Sequence, residues 1–159
     1  MELVYIGRVI TTHGIKGEIK LRSNFIYKDK AFKEGNTIYI NKDLYTITSY
    51  RKHKEYDMLV LKEIDDISKA IPLKQSLVYI NRDLLNLNSN YVYEDYIGST
   101  VYFNNKKIGV VKDIIDCGNN NMNFVINKKY VPFNNNFIES FDKDNKTLVL
   151  KNVEELLWK

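Results

Sequence analysis

Apolar and polar residues alternate along most of this chain, which is the pattern of β-strands with one buried face. Valine, isoleucine, tyrosine and threonine dominate these segments, and clusters of asparagine, glycine, aspartate and lysine separate them. The strands predicted in the first half are Leu3–Ile10, Glu18–Arg22, Thr37–Ile40, Tyr45–Tyr50, Met58–Lys62 and Leu77–Ile80, and a second series follows residue 98. The pattern therefore predicts an all-β fold made of barrels, with little helix.

Two short segments favour helical turns instead. Asp66–Leu73 follows an aspartate that can cap free backbone amides, and Pro72 should end the helix or limit it to little more than a turn. Val153–Trp158 has the spacing of a last amphipathic turn. Both are too short to change the fold class.

The domain boundary is predicted from composition. Residues 83–90 lose the strand periodicity and end in a polar cluster, which is typical of a linker. The chain is therefore predicted to form two small β-barrels, residues 1–82 and residues 91–159. Barrels of this size bury only about 60% of their unfolded surface, so we expect them to pack on each other or on a partner.

Charge distinguishes the two halves. The 159 residues carry a net charge of +4, and residues 1–90 hold 15 basic and 11 acidic side chains whereas residues 91–159 hold 9 of each. Attraction to a polyanion is therefore expected from the N-terminal half. The chain has no apolar run of membrane-spanning length, its start already reads as a strand rather than a signal peptide, and Cys117 is its lone cysteine. These features predict a cytoplasmic protein without disulfides.

The first candidate site is a glycine loop followed by a basic strand, Thr11–Arg22. Gly14 and Gly17 allow positive φ on both sides of a tight loop, and the strand after it alternates apolar and basic residues. The basic side chains expected on one exposed face, where they could contact phosphates, are Lys16, Lys20 and Arg22. On spacing alone, a plain glycine turn with a solvated strand face is the better explanation of this segment. His13 has no partner at metal-ligand spacing, so no metal site is predicted.

The second candidate is the tyrosine-rich segment Tyr91–Gly98. Tyr91 and Tyr93 are suited to a protein interface because tyrosine joins apolar area to a polar tip. The alternative is that these rings cover the core or lie between the barrels. Asp95 is expected to stabilise the turn ahead of Gly98.

Two Asn-rich turns, near Gly118 and Pro132, are explained by strand reversal alone. Cys117 has no histidine near it in sequence and is predicted to be an inert, half-buried thiol. The sequence has no phosphate-binding glycine loop, no metal cluster, and no nucleophile with a placed base. A non-enzymatic protein without cofactors is therefore predicted, and a flavin-binding barrel or a plain RNA-binding module are the alternatives.

Short motifs follow one another in order along the chain. The N-terminal motifs are Gly7-Arg8-Val9, Thr12–Lys20 with His13, Gly14 and Gly17, Ile64-Asp65-Asp66, Ala70, Leu77–Ile80 and Arg82. The C-terminal motifs are Tyr91, Asp95–Gly98, Ile108–Val111, Gly118 with Asn120, and Val131-Pro132-Phe133. Over nearly the whole chain this ordered set resembles the RimM family of ribosome maturation factors, and its C-terminal motifs resemble that family's PRC-barrel domain.

The resemblance implies a translation-factor-type barrel followed by a PRC barrel. It further implies a non-enzymatic, monomeric factor that binds the immature small (30S) ribosomal subunit, contacts the head protein called S-nineteen, and assists 16S rRNA processing and head maturation. In the family, two adjacent tyrosines at the start of the second domain serve the ribosomal contact. Tyr91 matches the first, Val92 occupies the second position, and Tyr93 lies where tryptophan is frequent.

Overall fold

The computed structural model describes residues 1–87, 90–119 and 121–157, and the chain divides into two compact units, Met1–Asn90 and Tyr91–Lys159. Strands dominate both units, as the alternating pattern predicts. Each unit has its own sheet and its own core.

Six strands of the first unit form a closed barrel. They are β1 (Leu3–His13), β2 (Glu18–Arg22), β3 (Thr37–Ile40), β4 (Asp43–His53), β5 (Tyr56–Leu61) and β6 (Leu77–Asn81). Their order is β1-β2-β5-β4-β3-β6, and β6 pairs with β1 to close the ring. The bounds of β2 and β3 are those predicted. Strands β1 and β4 run further than predicted because their polar ends are paired within hairpins.

The alternation within β2 shows how the barrel separates its core from its outer surface. Ile19 and Leu21 are fully buried, whereas Lys20 is half-buried and Arg22 is exposed on the outer face. Burying such a side chain stabilises a fold by about 1.5 to 3 kcal/mol. The core residues of β2 therefore fix the direction of its basic side chains.

Short helices complete the first unit. Helix α2 (Ile67–Ala70) continues into a 3-10 turn, Ile71–Leu73, and the Asp66 carboxylate accepts a hydrogen bond from the Ser68 amide at 2.8 Å. This confirms the predicted capped helix, with Pro72 inside its final turn. Helix α1 (Lys28–Ala31) was not predicted from the sequence, because its first three residues are charged and show no apolar period.

A buried ion pair lies in the first unit. Asp57 is fully buried, its Oδ2 lies 2.9 Å from the Lys28 ammonium, and its Oδ1 accepts a hydrogen bond of 2.5 Å from the Tyr50 hydroxyl. Burial, and then the bond to Asp57, raise the pKa of Tyr50 above its usual value. The Tyr50 ring stacks on Phe32, with 5.5 Å between centroids, which joins the polar group to the core.

The second unit is a six-stranded sheet with two short helices. Its elements are α3 (Tyr93–Tyr96), β7 (Thr100–Phe103), β8 (Lys106–Asp116), β9 (Met122–Ile126), β10 (Lys129–Pro132), β11 (Ile138–Asp142), β12 (Thr147–Leu150) and α4 (Glu154–Leu157). The strand order is β10-β9-β8-β7-β12-β11, and the β12–β7 pairing is parallel. Helix α4 occupies the predicted C-terminal turn, of which Trp158 lies outside the described residues.

All six strands of this sheet contribute to one hydrophobic core. Phe124 of β9 is fully buried at its centre, and Phe141 of β11 packs against the same cluster from the end of the strand order. The sheet therefore encloses a single core, although no pairing among the described residues joins its end strands, β10 and β11.

The described residues of the predicted linker, 83–87 and 90, belong to the first unit. Arg82–Leu85 form a 3-10 helix, and Leu85 and Leu87 are buried. The sequence pattern missed this packing because the two leucines lie in a segment without strand periodicity. Asn88 and Ser89 lie outside the described residues.

We expect limited proteolysis of the native chain to cut first within residues 83–90, and within that segment after Leu87. The sequence after Leu87 is Asn-Ser-Asn, and proteases prefer polar segments next to a domain boundary. Mass spectrometry of the earliest fragments tests this. Early cleavage inside β7 or β8 would contradict the predicted boundary.

Candidate functional site

The loop between β1 and β2 is held in one shape by its two glycines. Gly14 and Gly17 have φ of 80° and 83°, and the Gly17 amide donates to the Gly14 carbonyl at 3.3 Å. A Cβ on Gly17 would lie 2.8 Å from the Asp66 carbonyl oxygen, whereas a Cβ on Gly14 would meet no atom within 4 Å. Gly17 therefore allows the loop to approach the start of α2 closely.

A backbone hydrogen bond fixes the loop on α2. The Ile67 amide donates to the Ile15 carbonyl at 3.0 Å. The Ile15 side chain is 82% exposed, and Lys16 is exposed beside it. The structure thus presents Lys16 at the tip of a fixed loop.

Lys20 and Arg22 share one tyrosine on the neighbouring strand. The Lys20 ammonium lies 4.1 Å from the centre of the Tyr56 ring, and Arg22 donates a hydrogen bond of 3.1 Å to the Tyr56 hydroxyl. A cation over an aromatic face is stabilised by about 0.5 to 1 kcal/mol at an exposed site. Tyr56 therefore holds both cations on the outer face of the barrel.

This basic surface, defined by Lys16, Lys20, Arg22 and Tyr56, extends onto β1. Arg8 is exposed and is the cross-strand partner of Arg22, so the two guanidinium groups leave the same face of the sheet. Two like charges held opposite each other repel, and a bound polyanion would relieve that repulsion.

A mixed group of charges borders the basic surface at the hairpin ends. Arg51 forms a two-pronged ion pair with Glu18, at 2.8 and 3.0 Å, and the hydrogen bond from Arg51 lowers the pKa of Glu18. The His13 and His53 rings lie 6.3 Å apart. Within residues 1–87, 90–119 and 121–157, no group of three or more metal-ligating side chains is present.

The second candidate segment folds into α3. The Asp95 carboxylate is buried and accepts a hydrogen bond of 2.9 Å from the Val92 amide. The Lys146 ammonium donates to the Asp95 carbonyl at 2.9 Å, and the Gly98 amide donates to Val111 at 2.8 Å. These bonds fix the segment at the start of the second unit.

The rings of Tyr91 and Tyr93 each pack with one side against the core of the second unit. The Tyr91 ring meets Phe141 edge to face, with 4.9 Å between centroids, and Tyr93 meets Phe133 in the same way at 5.1 Å. Both tyrosines are half-buried. Each ring therefore packs within the second unit and leaves part of its surface to solvent.

The two Asn-rich turns are strand reversals in the structure. Gly118 has φ of 113° and donates to the Asp116 carboxylate at 2.8 Å, and Pro132 ends β10. Asn120, one of the motif residues, lies outside the described residues. Cys117 lies in the turn after β8, as the sequence predicts, but it is exposed rather than half-buried because the whole turn from Asp116 to Asn119 is exposed.

Five residues of the basic surface and its border were not predicted as site residues: Arg8, Glu18, Arg51, His53 and Tyr56. The hairpin from Arg51 to Tyr56 carries basic residues and an aromatic ring at strand positions, which is the signal that indicates Arg51 and Tyr56. Arg8 lies on β1, which pairs directly with β2. Tyr56 approaches β2 only through the pairing of β5 with β2, which the local pattern does not contain.

Two family models match the chain in succession. The RimM N-terminal domain matches residues 4–85, and the PRC-barrel domain matches residues 90–157. The fold and the order of the two matches thus define a two-domain protein with a RimM-type barrel and a PRC barrel.

Curated relatives match over almost the full length. The ribosome maturation factor RimM of Staphylococcus haemolyticus is 34% identical over 164 residues, covering 97% of this chain and 98% of the relative. That of Staphylococcus aureus strain RF122 is 36% identical over 165 residues with the same coverage. The chain belongs to the RimM family.

Solved structures of the family are more distant. A 16S ribosomal RNA processing protein RimM from Pseudomonas aeruginosa is 21% identical, with a TM-score of 0.48 over 94% of this chain and 97% of that one. The N-terminal domain of RimM from Thermus thermophilus is 22% identical, with a TM-score of 0.45 over 51% of this chain and 91% of that one.

In the part of this chain that the structure describes, no helix is long and apolar enough to cross a membrane.

Proposed function

We propose that this protein is a non-enzymatic, cytoplasmic maturation factor that binds the immature small (30S) ribosomal subunit and assists 16S rRNA processing and head maturation. The observation that carries the proposal is the match of both family domains, in order, to residues 4–85 and 90–157. The names of the full-length relatives support the same function.

The N-terminal barrel is proposed to make the rRNA contact. Its basic surface places Lys20 and Arg22 at fixed positions over Tyr56, with Arg8 beside them and Lys16 on the adjoining loop. Pre-positioned cations lose little side-chain freedom when they bind phosphate. The charge excess of this half of the chain supports the assignment.

Changing Lys16, Lys20 and Arg22 together to alanine should weaken binding to the immature subunit and reduce its salt dependence. Each lost phosphate contact lowers the slope of log K against log salt by about 0.7 to 0.9. A slope smaller by about 2 to 3 is expected from affinity measured across a salt series. The matched control replaces three exposed lysines of the second unit, Lys106, Lys112 and Lys128. An unchanged slope in the first variant would remove these residues from the interface.

The PRC barrel is proposed to contact ribosomal protein S-nineteen through Tyr91 and Tyr93. Phe141 and Phe133 pack against these rings edge to face and restrict their movement, so binding costs the rings little conformational entropy. The equal numbers of acidic and basic residues in this half favour a protein partner over a polyanion.

Replacing Tyr91 with alanine should cost about 1 to 3 kcal/mol in binding to isolated protein S-nineteen, as interface aromatics do. Loss of the edge-to-face contact with Phe141 should also cost about 0.5 to 1.5 kcal/mol of stability. Titration calorimetry and thermal melting separate the two effects. Tyr130→Ala is the control, because Tyr130 is 54% exposed in the same unit. If folded Tyr91→Ala binds normally, Tyr91 is not an anchor.

The proposed mechanism is selection of one conformation of the immature subunit. A factor shifts a conformational equilibrium only by its difference in affinity for the two states, and moving it from 1:99 to 99:1 takes about 5.5 kcal/mol. Two contacts on one chain, to rRNA and to a head protein, supply such a difference when only one head arrangement satisfies both.

Affinity purification of the tagged chain from growing cells tests the function as a whole. Small-subunit precursors with unprocessed 16S rRNA and protein S-nineteen should co-purify, and the triple variant should recover less of them. Purification of mature subunits alone, or of a yellow protein with bound flavin, would contradict the proposal and favour an enzyme. Sedimentation of the purified chain tests the expected monomer.

A further inference from the structure

A second aromatic surface lies on the outer face of the first barrel, away from Tyr56. Tyr5, Tyr79 and Tyr39 lie side by side on β1, β6 and β3, because Tyr79 is the cross-strand partner of both other tyrosines. The Tyr5 and Tyr79 rings are 5.8 Å apart and meet edge to face. We call these three residues the tyrosine row.

A cavity of about 470 Å³ opens at the tyrosine row. It is lined by Leu3, Tyr39, Asn41, Lys42, Leu77 and Tyr79. Four of these residues contribute aromatic or aliphatic side chains, and the turn between β3 and β4 contributes one amide and one ammonium. Of the described residues that line the cavity, none is acidic.

We infer that this cavity binds an unpaired nucleotide of single-stranded RNA. Aromatic walls stack on a base, the Asn41 amide can donate to or accept from its edge, and the Lys42 ammonium can pair with its phosphate. The inference rests on the proposed function and narrows its RNA partner to a single-stranded segment.

Continuity with the basic surface favours RNA as the occupant. Arg8 is the partner of Arg22 on one side and of Leu77 on the other, so it joins the basic surface to the cavity. A single RNA strand whose phosphates bind the basic surface can therefore also contact the tyrosine row, because both lie on the outer face of the first barrel. Basic residues interleaved with aromatic rings on one face are typical of proteins that bind single strands.

A duplex does not fit the same cavity. The bases of an A-form helix are stacked and paired, and its shallow groove offers sugar hydroxyls and base edges rather than a free base face. The barrel is closed, so a partner protein cannot add a strand to it and would have to bind through side chains alone. A protein partner is the alternative that the experiment must separate.

The test measures fluorescence anisotropy of the full chain with a labelled ten-nucleotide oligouridine and with a duplex of the same length. Tyr39→Leu and Tyr79→Leu should each weaken oligouridine binding by about fivefold or more, since one lost stack costs at least about that much, and leave duplex binding unchanged. Leucine is apolar but has no ring to stack on a base, and thermal melting verifies that each variant is folded.

Lys42→Gly is a second kind of variant, because it changes the turn between β3 and β4 and leaves every strand of the barrel unchanged. Lys42 has φ of 72°, which glycine adopts freely, so the turn is kept while the ammonium is lost. The salt slope for oligouridine should fall by about 0.7. Lys128→Gly is the matched control, because Lys128 has φ of 65° in the β9–β10 hairpin and carries the same charge.

The outcomes separate this inference from the proposed function. In one outcome, the tyrosine and Lys42 variants bind oligouridine with the affinity of Lys128→Gly, and only the triple variant of the basic surface loses that affinity. The cavity is then not a nucleotide site, and the proposed rRNA contact of the basic surface is retained. If the triple variant also binds normally, the rRNA contact fails as well. Tyrosine variants that bind RNA normally but lose an isolated small-subunit protein would assign the cavity to a protein and overturn the inference.

Discussion

Asp57→Ala should destabilise the chain by about 3 kcal/mol, the lower end of the cost of breaking a buried ion pair. The change leaves the Lys28 ammonium without its carboxylate and the Tyr50 hydroxyl without its acceptor. The lower end applies because the Lys28 side chain is 19% exposed and can reach water. Denaturant unfolding of the full chain, followed by a signal from each unit, measures the loss.

The double variant Lys28→Met, Asp57→Leu is the control for this prediction. Replacing both charges by apolar side chains of similar size removes the unpaired ammonium, so much of the lost stability should return. Tyr50→Phe should cost about 1 to 3 kcal/mol, because the buried Asp57 keeps Lys28 but loses one hydrogen bond. A double variant as unstable as Asp57→Ala would show that packing, not charge, decides the effect.

Gly17→Ala should cost about 2 to 5 kcal/mol and also weaken RNA binding. The left-handed backbone accounts for about 1 to 2 kcal/mol, and the approach of the new Cβ to Asp66 adds about 1 to 3 kcal/mol of crowding. The loop must then move away from α2, which breaks the bond from the Ile67 amide to Ile15 and displaces Lys16. Melting temperature and RNA affinity should both fall.

Gly14→Ala is the matched control, since Gly14 has nearly the same φ but open space around it. It should cost only the backbone strain, about 1 to 2 kcal/mol, and leave the loop on α2. Equal losses in both variants would mean that the close approach to Asp66 has no energetic weight.

Local pattern was sufficient to predict the strands whose two faces differ clearly. Strands β2 and β3 alternate without interruption, and their bounds were predicted to the residue. The ends of β1 and β4 were missed because a hairpin that extends from the barrel needs no buried face. Helix α1 was missed because one turn, Lys28–Ala31, is too short to show a period.

The candidate site was predicted less completely than the fold. Lys20 and Arg22 could be placed on an outer face from alternation alone, but Tyr56 joins them only through the pairing of β2 with β5. The tyrosine row could not be predicted for the same reason, since its members come from three strands that are distant in sequence. Asp57 sits at a strand position where nothing local indicates that a carboxylate is buried.

Strand β1 constrains how this protein can change in evolution. Its first half pairs with β6 and its second half with β2, with a register shift in each half. A single inserted or deleted residue near Arg8 would exchange inward and outward side chains in one half while leaving the other half in place. The cations of the basic surface and the tyrosine row would then no longer share a face. Point substitutions in β1 are therefore far more tolerable than changes in its length, and length variation should concentrate in the turns instead.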